Sequence, residues 1–106
     1  MRDKEVYQKL GQIIETRRKF LKIEDFSLAR EKFLRMFERC LNLMKDEYLL
    51  ILQNSYFSPS YKFWWMDYYC KSSFYRKRII AITSFVSLFE MIYENFNDNP
   101  TFTNSF

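Results

Sequence analysis

Residues that interrupt helices are almost absent from this chain. Its 106 residues include one glycine, Gly11, and two prolines, Pro59 and Pro100. Glycine and proline are the residues that most strongly interrupt helices and strands, and an all-β domain needs many of them in its tight turns. Hydrophobic residues make up 48% of the chain, which is enough apolar material for one core. The sequence therefore predicts a single all-α domain built from long helices.

Apolar residues at helical spacing predict about five helices. Their approximate limits are 4–21, 26–44, 45–56, 61–69 and 72–95. We expect the first two to form an N-terminal helical hairpin over residues 4–44, packed against a second unit over 45–95. Both units belong to one domain, residues 1–96, and residues 97–106 are predicted to form a flexible tail.

Several polar or small residues mark where these helices begin or approach one another. Glu24 and Asp25 favour the start of the second helix, since carboxylates suit the positive end of the helix dipole. Ser72 or Ser73 can cap the fifth helix through its hydroxyl. Gly11, inside the first helix, is predicted to permit the close approach of another helix.

The composition argues against catalysis and against metal binding. The chain has no histidine, no glycine-rich phosphate loop and no nucleophile set in a motif, so we expect no enzyme activity. Cys40 and Cys70 suit no metal-ligand spacing and are expected to remain reduced, as small apolar residues. Nothing predicts a metal or a cofactor. The net charge of +4 instead favours nucleic acid or another acidic partner.

No segment predicts export or membrane insertion. The charged N-terminus is followed by no apolar stretch typical of a signal peptide. The longest apolar run lies near residues 48–52 and is much shorter than a membrane span. We therefore expect a cytoplasmic protein without membrane association.

The segment 55–90 has the order of features found in a helix-turn-helix. An aromatic run over 61–69 is followed by a small polar break at 72–73 and by the basic cluster 76–78. A helix-turn-helix needs a support helix, a tight connection and a recognition helix whose N-terminal residues reach the major groove. The predicted DNA contacts at the start of the recognition helix are Lys71, Ser72, Ser73, Tyr75, Arg76 and Lys77.

Side-chain chemistry assigns roles to the leading contacts. Arg76 and Lys77 can meet guanine edges in the groove, and Lys71 and the two serines can bond to phosphates. Tyr75 can contact a phosphate or a thymine methyl group.

A second group of cations lies at the end of the first helix. Arg17, Arg18 and Lys22 are further candidates for contacts to the DNA backbone. Cations at this position also suit the negative end of the helix dipole, so their presence has a second explanation.

Three motifs between residues 43 and 78 follow an order known from one family. They are Leu43-Met44-Lys45-Asp46-Glu47-Tyr48, the pair Tyr56-Phe57, and the run Cys70-Lys71-Ser72-Ser73-Phe74-Tyr75-Arg76-Lys77-Arg78. In this order they resemble region 4 of sigma factors and the small phage and Mollicutes regulators related to it. The resemblance covers about residues 43–92. It implies a bacterial-type transcriptional regulator that contacts double-stranded DNA through residues 71–78, with RNA polymerase as a further partner.

Two positions depart from the pattern of that family. Trp64 occupies the place of a small residue in the support helix, and Tyr68 falls near the usual turn glycine. The connection before the recognition helix is therefore expected to be longer or differently angled. Nothing in the chain resembles the parts of a sigma factor that grip core polymerase and melt a promoter, so a complete sigma factor is not expected.

The aromatic run over 61–69 leaves another function open. Trp64-Trp65 and Tyr68-Tyr69 can form a groove for a partner protein, since such residues are enriched at interfaces, or they can fill the core. A helical protein-interaction module that binds no nucleic acid is therefore the alternative. For the DNA-binding function, we expect a homodimer through the N-terminal helices to add affinity. The apolar stripe of the second helix resembles a coiled-coil seam, and it suits packing within its own domain equally well.

Overall fold

Four α-helices account for most of the architecture. The computed structural model describes residues 3–22 and 27–98, with side chains described as far as Asn95. The helices are α1 (Asp3–Lys22), α2 (Leu28–Leu43), α3 (Asp46–Leu52) and α4 (Lys71–Asp98). A π-helical segment, Gln53–Phe57, continues α3, and a 3-10 turn, Trp64–Asp67, precedes α4. The described residues contain no strand, so the predicted all-α class is confirmed.

The structure has four α-helices rather than the predicted five. Within 61–69, only Trp64–Asp67 is helical, and it is a 3-10 turn. The backbone N–H groups of Trp64, Met66 and Tyr68 donate to carbonyls three residues earlier, which is the hydrogen-bond pattern of a 3-10 turn and not of an α-helix. This tight turn buries both Trp64 and Trp65.

The start of α4 also differs from the prediction. The helix begins at Lys71, because the backbone N–H of Phe74 donates to the carbonyl of Cys70 at 2.9 Å. Ser72 and Ser73 therefore lie inside the first turn, and neither is the residue that caps the helix. At the other end α4 runs to Asp98, beyond the predicted limit near Asn95.

Two further predictions concern α1 and the start of α2. Gly11 is exposed, and a Cβ placed on it would meet no atom within 4 Å, so the predicted close approach is wrong. The face of α1 that packs inward carries Val6, Leu10 and Ile13 instead. The acidic pair at 24–25 and the tail from residue 99 lie outside the described residues. The observed cap of α2 is Ser27, whose Oγ accepts a hydrogen bond from the Arg30 N–H at 3.2 Å.

The core is arranged around α4, which packs against α1, α2 and α3. Its buried side chains are Phe74, Ala81, Ile82, Phe85, Val86, Phe89 and Ile92. The rings of Phe37, Phe57 and Phe85 meet with centroids 5.1 to 5.3 Å apart, in tilted and edge-on arrangements. Such pairs stabilise a core beyond the area that they bury. The middle of α4 is therefore held on several sides.

None of the helices in the described part of the chain combines the length and the hydropathy that crossing a lipid bilayer requires.

Candidate nucleic-acid interface

An aromatic stack holds the first two turns of α4 in place. The ring of Phe74 lies parallel to Trp65, with centroids 4.7 Å apart and planes inclined by 5°. It also meets Trp64 edge-on at 5.6 Å. Both tryptophans are buried, so this stack joins the helix start to the core. Because Phe74 points inward, helical geometry directs residues 72 and 76 to the opposite, outer face.

Four of the six predicted DNA contacts are exposed in these first two turns. Lys71, Ser72, Tyr75 and Arg76 are exposed, whereas Ser73 is partly buried. The Lys71 ammonium lies 6.0 Å from the centroid of the Tyr75 ring, a distance at which a cation is attracted to the ring face. The result is a cationic and aromatic surface that rests on a buried aromatic base.

Lys77, the remaining predicted contact, is tied to α3. Its Nζ donates to Oε1 of Glu47 at 2.6 Å, and the Tyr69 hydroxyl donates to the same oxygen at 3.1 Å. The Lys77 hydrogen bond, followed by that of Tyr69, lowers the pKa of Glu47. The hydrogen bond to Glu47 raises the pKa of Lys77. Lys77 therefore fastens the helix start to α3 in the free protein.

The second group of predicted cations lies elsewhere. Arg18 pairs with Glu15 of its own helix at 3.1 Å, and the Arg17 guanidinium lies 4.7 Å from the centroid of the Phe37 ring. Lys22 is exposed in the last turn of α1.

Aromatic contacts show where this end of α1 lies relative to α4. Phe20 meets Phe33 with centroids 5.4 Å apart, and Phe33 meets Phe89 at 5.5 Å. Phe89 follows Arg76 by thirteen residues of one helix, which is about 20 Å along its axis. The structure therefore does not bring Arg17, Arg18 and Lys22 together with the start of α4.

The two cysteines are free thiols in different environments. Cys40 is fully buried, and burial raises its pKa to about 12, so it fits the predicted small apolar role. Cys70 is exposed just before α4, which that prediction did not anticipate. A hydrogen bond from the backbone N–H of Ser73, then one from the Ser72 side chain, lowers the pKa of Cys70. In the described residues, no group of three or more Cys, Asp or Glu side chains is placed to hold a metal ion.

The aromatic run divides into buried and exposed members. Trp64 and Trp65 belong to the core, so these two side chains offer little surface to a partner protein. The exposed members are Tyr61, Phe63, Met66 and Tyr68, of which Tyr68 is 72% and Met66 61% exposed. An apolar surface therefore exists here, but it is made of the neighbours of the tryptophans.

Arg78 is a residue whose environment the sequence interpretation missed, since it treated Arg78 only as part of the basic cluster. Its guanidinium lies 4.8 Å from the Tyr75 ring centroid and 5.7 Å from that of Phe74. The Tyr7 ring of α1 is 5.9 Å away. The signal was present, because residue 78 follows the inward-facing Phe74 by four and must share its side of the helix.

Family models, curated proteins and solved structures offer no match to this chain. The resemblance to sigma region 4 therefore depends on the short motifs alone, and the interface has to be interpreted from its own geometry.

Proposed function

We propose that this protein binds double-stranded DNA through the first two turns of α4 and regulates transcription. The observation that carries the proposal is the placement of Arg76 and Ser72 opposite the buried ring of Phe74. A helix start that is anchored on one side and cationic on the other suits insertion into the major groove.

Each exposed side chain has a role in this proposal. Arg76 is the leading groove contact, since an arginine can donate two hydrogen bonds to a guanine edge. Lys71 and Ser72 lie at the N-terminal end of the helix, where the dipole also favours a phosphate. Tyr75, with Lys71 beside its ring, adds a contact to the backbone or to a thymine methyl group.

Lys77 takes a secondary role. Exposed ion pairs contribute little to stability, so Lys77 can exchange Glu47 for a phosphate at small cost. In the free protein, the Lys77–Glu47 ion pair orients α4 against α3. Ser73 is partly buried, so it is a weaker candidate for a DNA contact than the exposed residues of the helix start.

The connection before α4 departs from the tight turn of a common helix-turn-helix. Residues 58–70 separate the π-helical segment from α4, and they contain only the 3-10 turn. We therefore propose that the exposed start of α4 enters the major groove and that α3 takes the place of the support helix. By resemblance to sigma region 4, RNA polymerase is a second partner. The apolar stripe of α2 that suggested a homodimer seam is largely buried in the core of the chain, including Phe37 and Cys40, so a homodimer is the weaker part of the proposal.

A titration with duplex DNA at several salt concentrations tests the proposal. The logarithm of the binding constant should fall steeply with the logarithm of salt concentration, since phosphate contacts release counterions. Arg76→Ala should weaken binding and, where Arg76 also touches a phosphate, reduce the slope by about one. Lys71→Ala should reduce the slope by a similar amount.

Lys19→Ala is the matched control for the start of α4, because Lys19 is exposed near the other end of the molecule, among the cations that end α1. It should leave the binding constant and the slope close to wild type. Absence of any binding to mixed genomic fragments at low salt would sink the proposal. An effect of Lys19→Ala as large as that of Arg76→Ala would show that net charge, and not this interface, determines binding.

A second candidate function is a protein-interaction module that uses the exposed part of the aromatic run. The favouring observation is that Phe63, Met66 and Tyr68 expose about half or more of their surface within one short segment. Large apolar side chains grouped at the surface are typical of partner sites. A folded protein that binds no DNA at low salt would favour this function.

A further inference from the structure

A cavity lies behind the face that we assign to DNA. It has a volume of about 210 Å³ and is bounded by the π-helical segment, the chain that follows it and the second turn of α4. Trp64, Trp65 and Phe74 supply aromatic walls, and Ser55, Lys62 and Arg78 are among the polar residues that line it. The cavity therefore combines aromatic rings with hydrogen-bonding groups and cations, and it does not include the exposed DNA contacts.

Two residues that line this cavity each have a buried polar atom with no hydrogen-bond partner among the described residues. Ser55 Oγ and Arg78 Nε are both shielded from solvent, and neither makes a hydrogen bond within the described part of the chain. Buried polar groups are nearly always hydrogen-bonded, because leaving one unpaired costs the whole of its desolvation. The two residues come from different elements and line the same cavity. Because both unpaired atoms belong to residues of one cavity, we expect the cavity to hold a polar ligand.

The backbone at Ser55 is itself unusual. Residues Gln53–Phe57 form a π-helical turn at the end of α3, and the Ser60 N–H returns to the Asn54 carbonyl at 3.0 Å. Such turns are rare and occur frequently at functional sites. Here the turn places Ser55 in the cavity wall, and the returning chain brings Ser60 and Tyr61 to the same cavity.

The side chain of Arg78 is held in place for recognition. The rings of Tyr75, Phe74 and Tyr7 lie within 4.8 to 5.9 Å of its guanidinium carbon. Those rings attract the cation but leave Nε–H without an acceptor. Among the described residues, Arg78 forms no ion pair with a carboxylate. An anion with two coplanar oxygens fits this edge, since arginine binds a carboxylate through paired N–H groups.

We infer that this cavity binds a compact monocarboxylate with an apolar body. The carboxylate accepts hydrogen bonds from Arg78 Nε and from the Ser55 hydroxyl, and the body packs against the indole and phenyl rings. The volume is below that of pockets for drug-sized ligands, so the guest is a short aliphatic or single-ring acid. A phosphate would bring a third oxygen that neither Arg78 Nε nor the Ser55 hydroxyl satisfies, and this disfavours it.

Tryptophan fluorescence reports on this site directly, because the only two tryptophans of the chain, Trp64 and Trp65, line the cavity. Benzoate and hexanoate are the probes, with benzamide as the neutral analogue of benzoate and phenyl phosphate as a dianion. We expect a saturable change in emission with at least one of the two carboxylates. Benzamide and phenyl phosphate should bind at least about tenfold more weakly than benzoate, since an unpaired buried group is costly.

Two variants locate the binding. Arg78→Lys keeps the charge but removes Nε, and it should weaken carboxylate binding about tenfold or more. Ser55→Ala should weaken it several-fold. The matched controls are Arg35→Lys on α2 and Ser87→Ala on α4, which lie outside the cavity and should bind as wild type does.

Circular dichroism establishes that each variant is folded, and Ser55→Ala decides the outcome if Arg78→Lys does not fold. The inference is overturned if the tryptophan emission of folded wild-type protein shows no saturable change with either carboxylate. Water would then be the partner of the two buried atoms. The inference is also overturned if benzamide or phenyl phosphate binds as well as benzoate, or if Ser55→Ala binds like wild type.

Discussion

The first two turns of α4 and its middle belong to one continuous helix but meet different surroundings. In the middle, Ala81, Ile82, Phe85 and Val86 are fully buried, because α1, α2 and α3 pack around them. At the start, Phe74 is buried on one side and Arg76 is open on the other. The difference shows that the same helix is a core element where helices surround it, and exposes one side where an aromatic turn and the Lys77–Glu47 ion pair support it.

The largest effect expected from this comparison follows truncation of the middle. Phe85→Ala should lower the free energy of unfolding by about 3–5 kcal/mol, through lost burial and the cavity that remains. Phe85 is fully buried and contacts the rings of Phe37, Phe57 and Phe89. Urea unfolding measures the effect, and Arg76→Ala at the exposed start should leave the urea midpoint unchanged. Equal midpoints for the two variants would remove the distinction between the two parts of the helix.

A somewhat smaller effect is expected at the aromatic base of the helix start. Trp65→Ala should cost about 3 kcal/mol, because it removes the ring that stacks on Phe74 near the edge of the core. Tyr68→Ala is the matched control and should unfold at the wild-type urea concentration, since Tyr68 is largely exposed.

The same pair of variants separates a core role from a partner site. If the wild-type protein captures a partner protein and a folded Tyr68→Ala variant does not, the interaction function is supported. If Trp65→Ala unfolded no more easily than Tyr68→Ala, the aromatic base would not be the anchor of the helix start.

The smallest effect is expected for the ion pair between α3 and α4, and it depends on pH. Glu47→Gln should lower the urea midpoint slightly at neutral pH. The folded-state pKa of Glu47 lies below its ordinary value of 4.5, so its contribution is present above pH 4.5 and is lost as the pH falls through the folded value. The folded-state pKa of Lys77 lies above 10.5, so its contribution is complete below pH 10.5 and is lost as the pH rises through that value.

The difference between wild type and Glu47→Gln should therefore hold between about pH 4.5 and 10.5 and fade outside that window. Urea midpoints across this range measure it. A double-mutant cycle with Lys77→Met supplies the control, since paired residues give non-additive effects. Strictly additive effects of the two substitutions would mean that the pair does not couple α3 to α4.

Much of the fold was predictable because it depends on local pattern. The scarcity of glycine and proline and the spacing of apolar residues identified the helical class and the approximate extents of α1, α2 and α4. The fourth predicted helix was wrong, since apolar spacing alone does not reveal that the backbone of this segment forms a 3-10 turn. The exposure of Lys71 and Arg76 was predicted from the sequence, whereas Ser73 and Lys77, which were expected to face outward with them, are partly buried.

The sequence by itself determined that the chain is helical, that it has one extended apolar helix and that a basic cluster lies near the start of that helix. Only the tertiary structure separated the members of that cluster. Arg76 faces outward, Lys77 meets Glu47 from thirty residues earlier, and Arg78 turns beneath the aromatic rings towards Ser55. The physical reason is that a helix sets the direction of each side chain, whereas its partners come from other elements whose positions depend on packing.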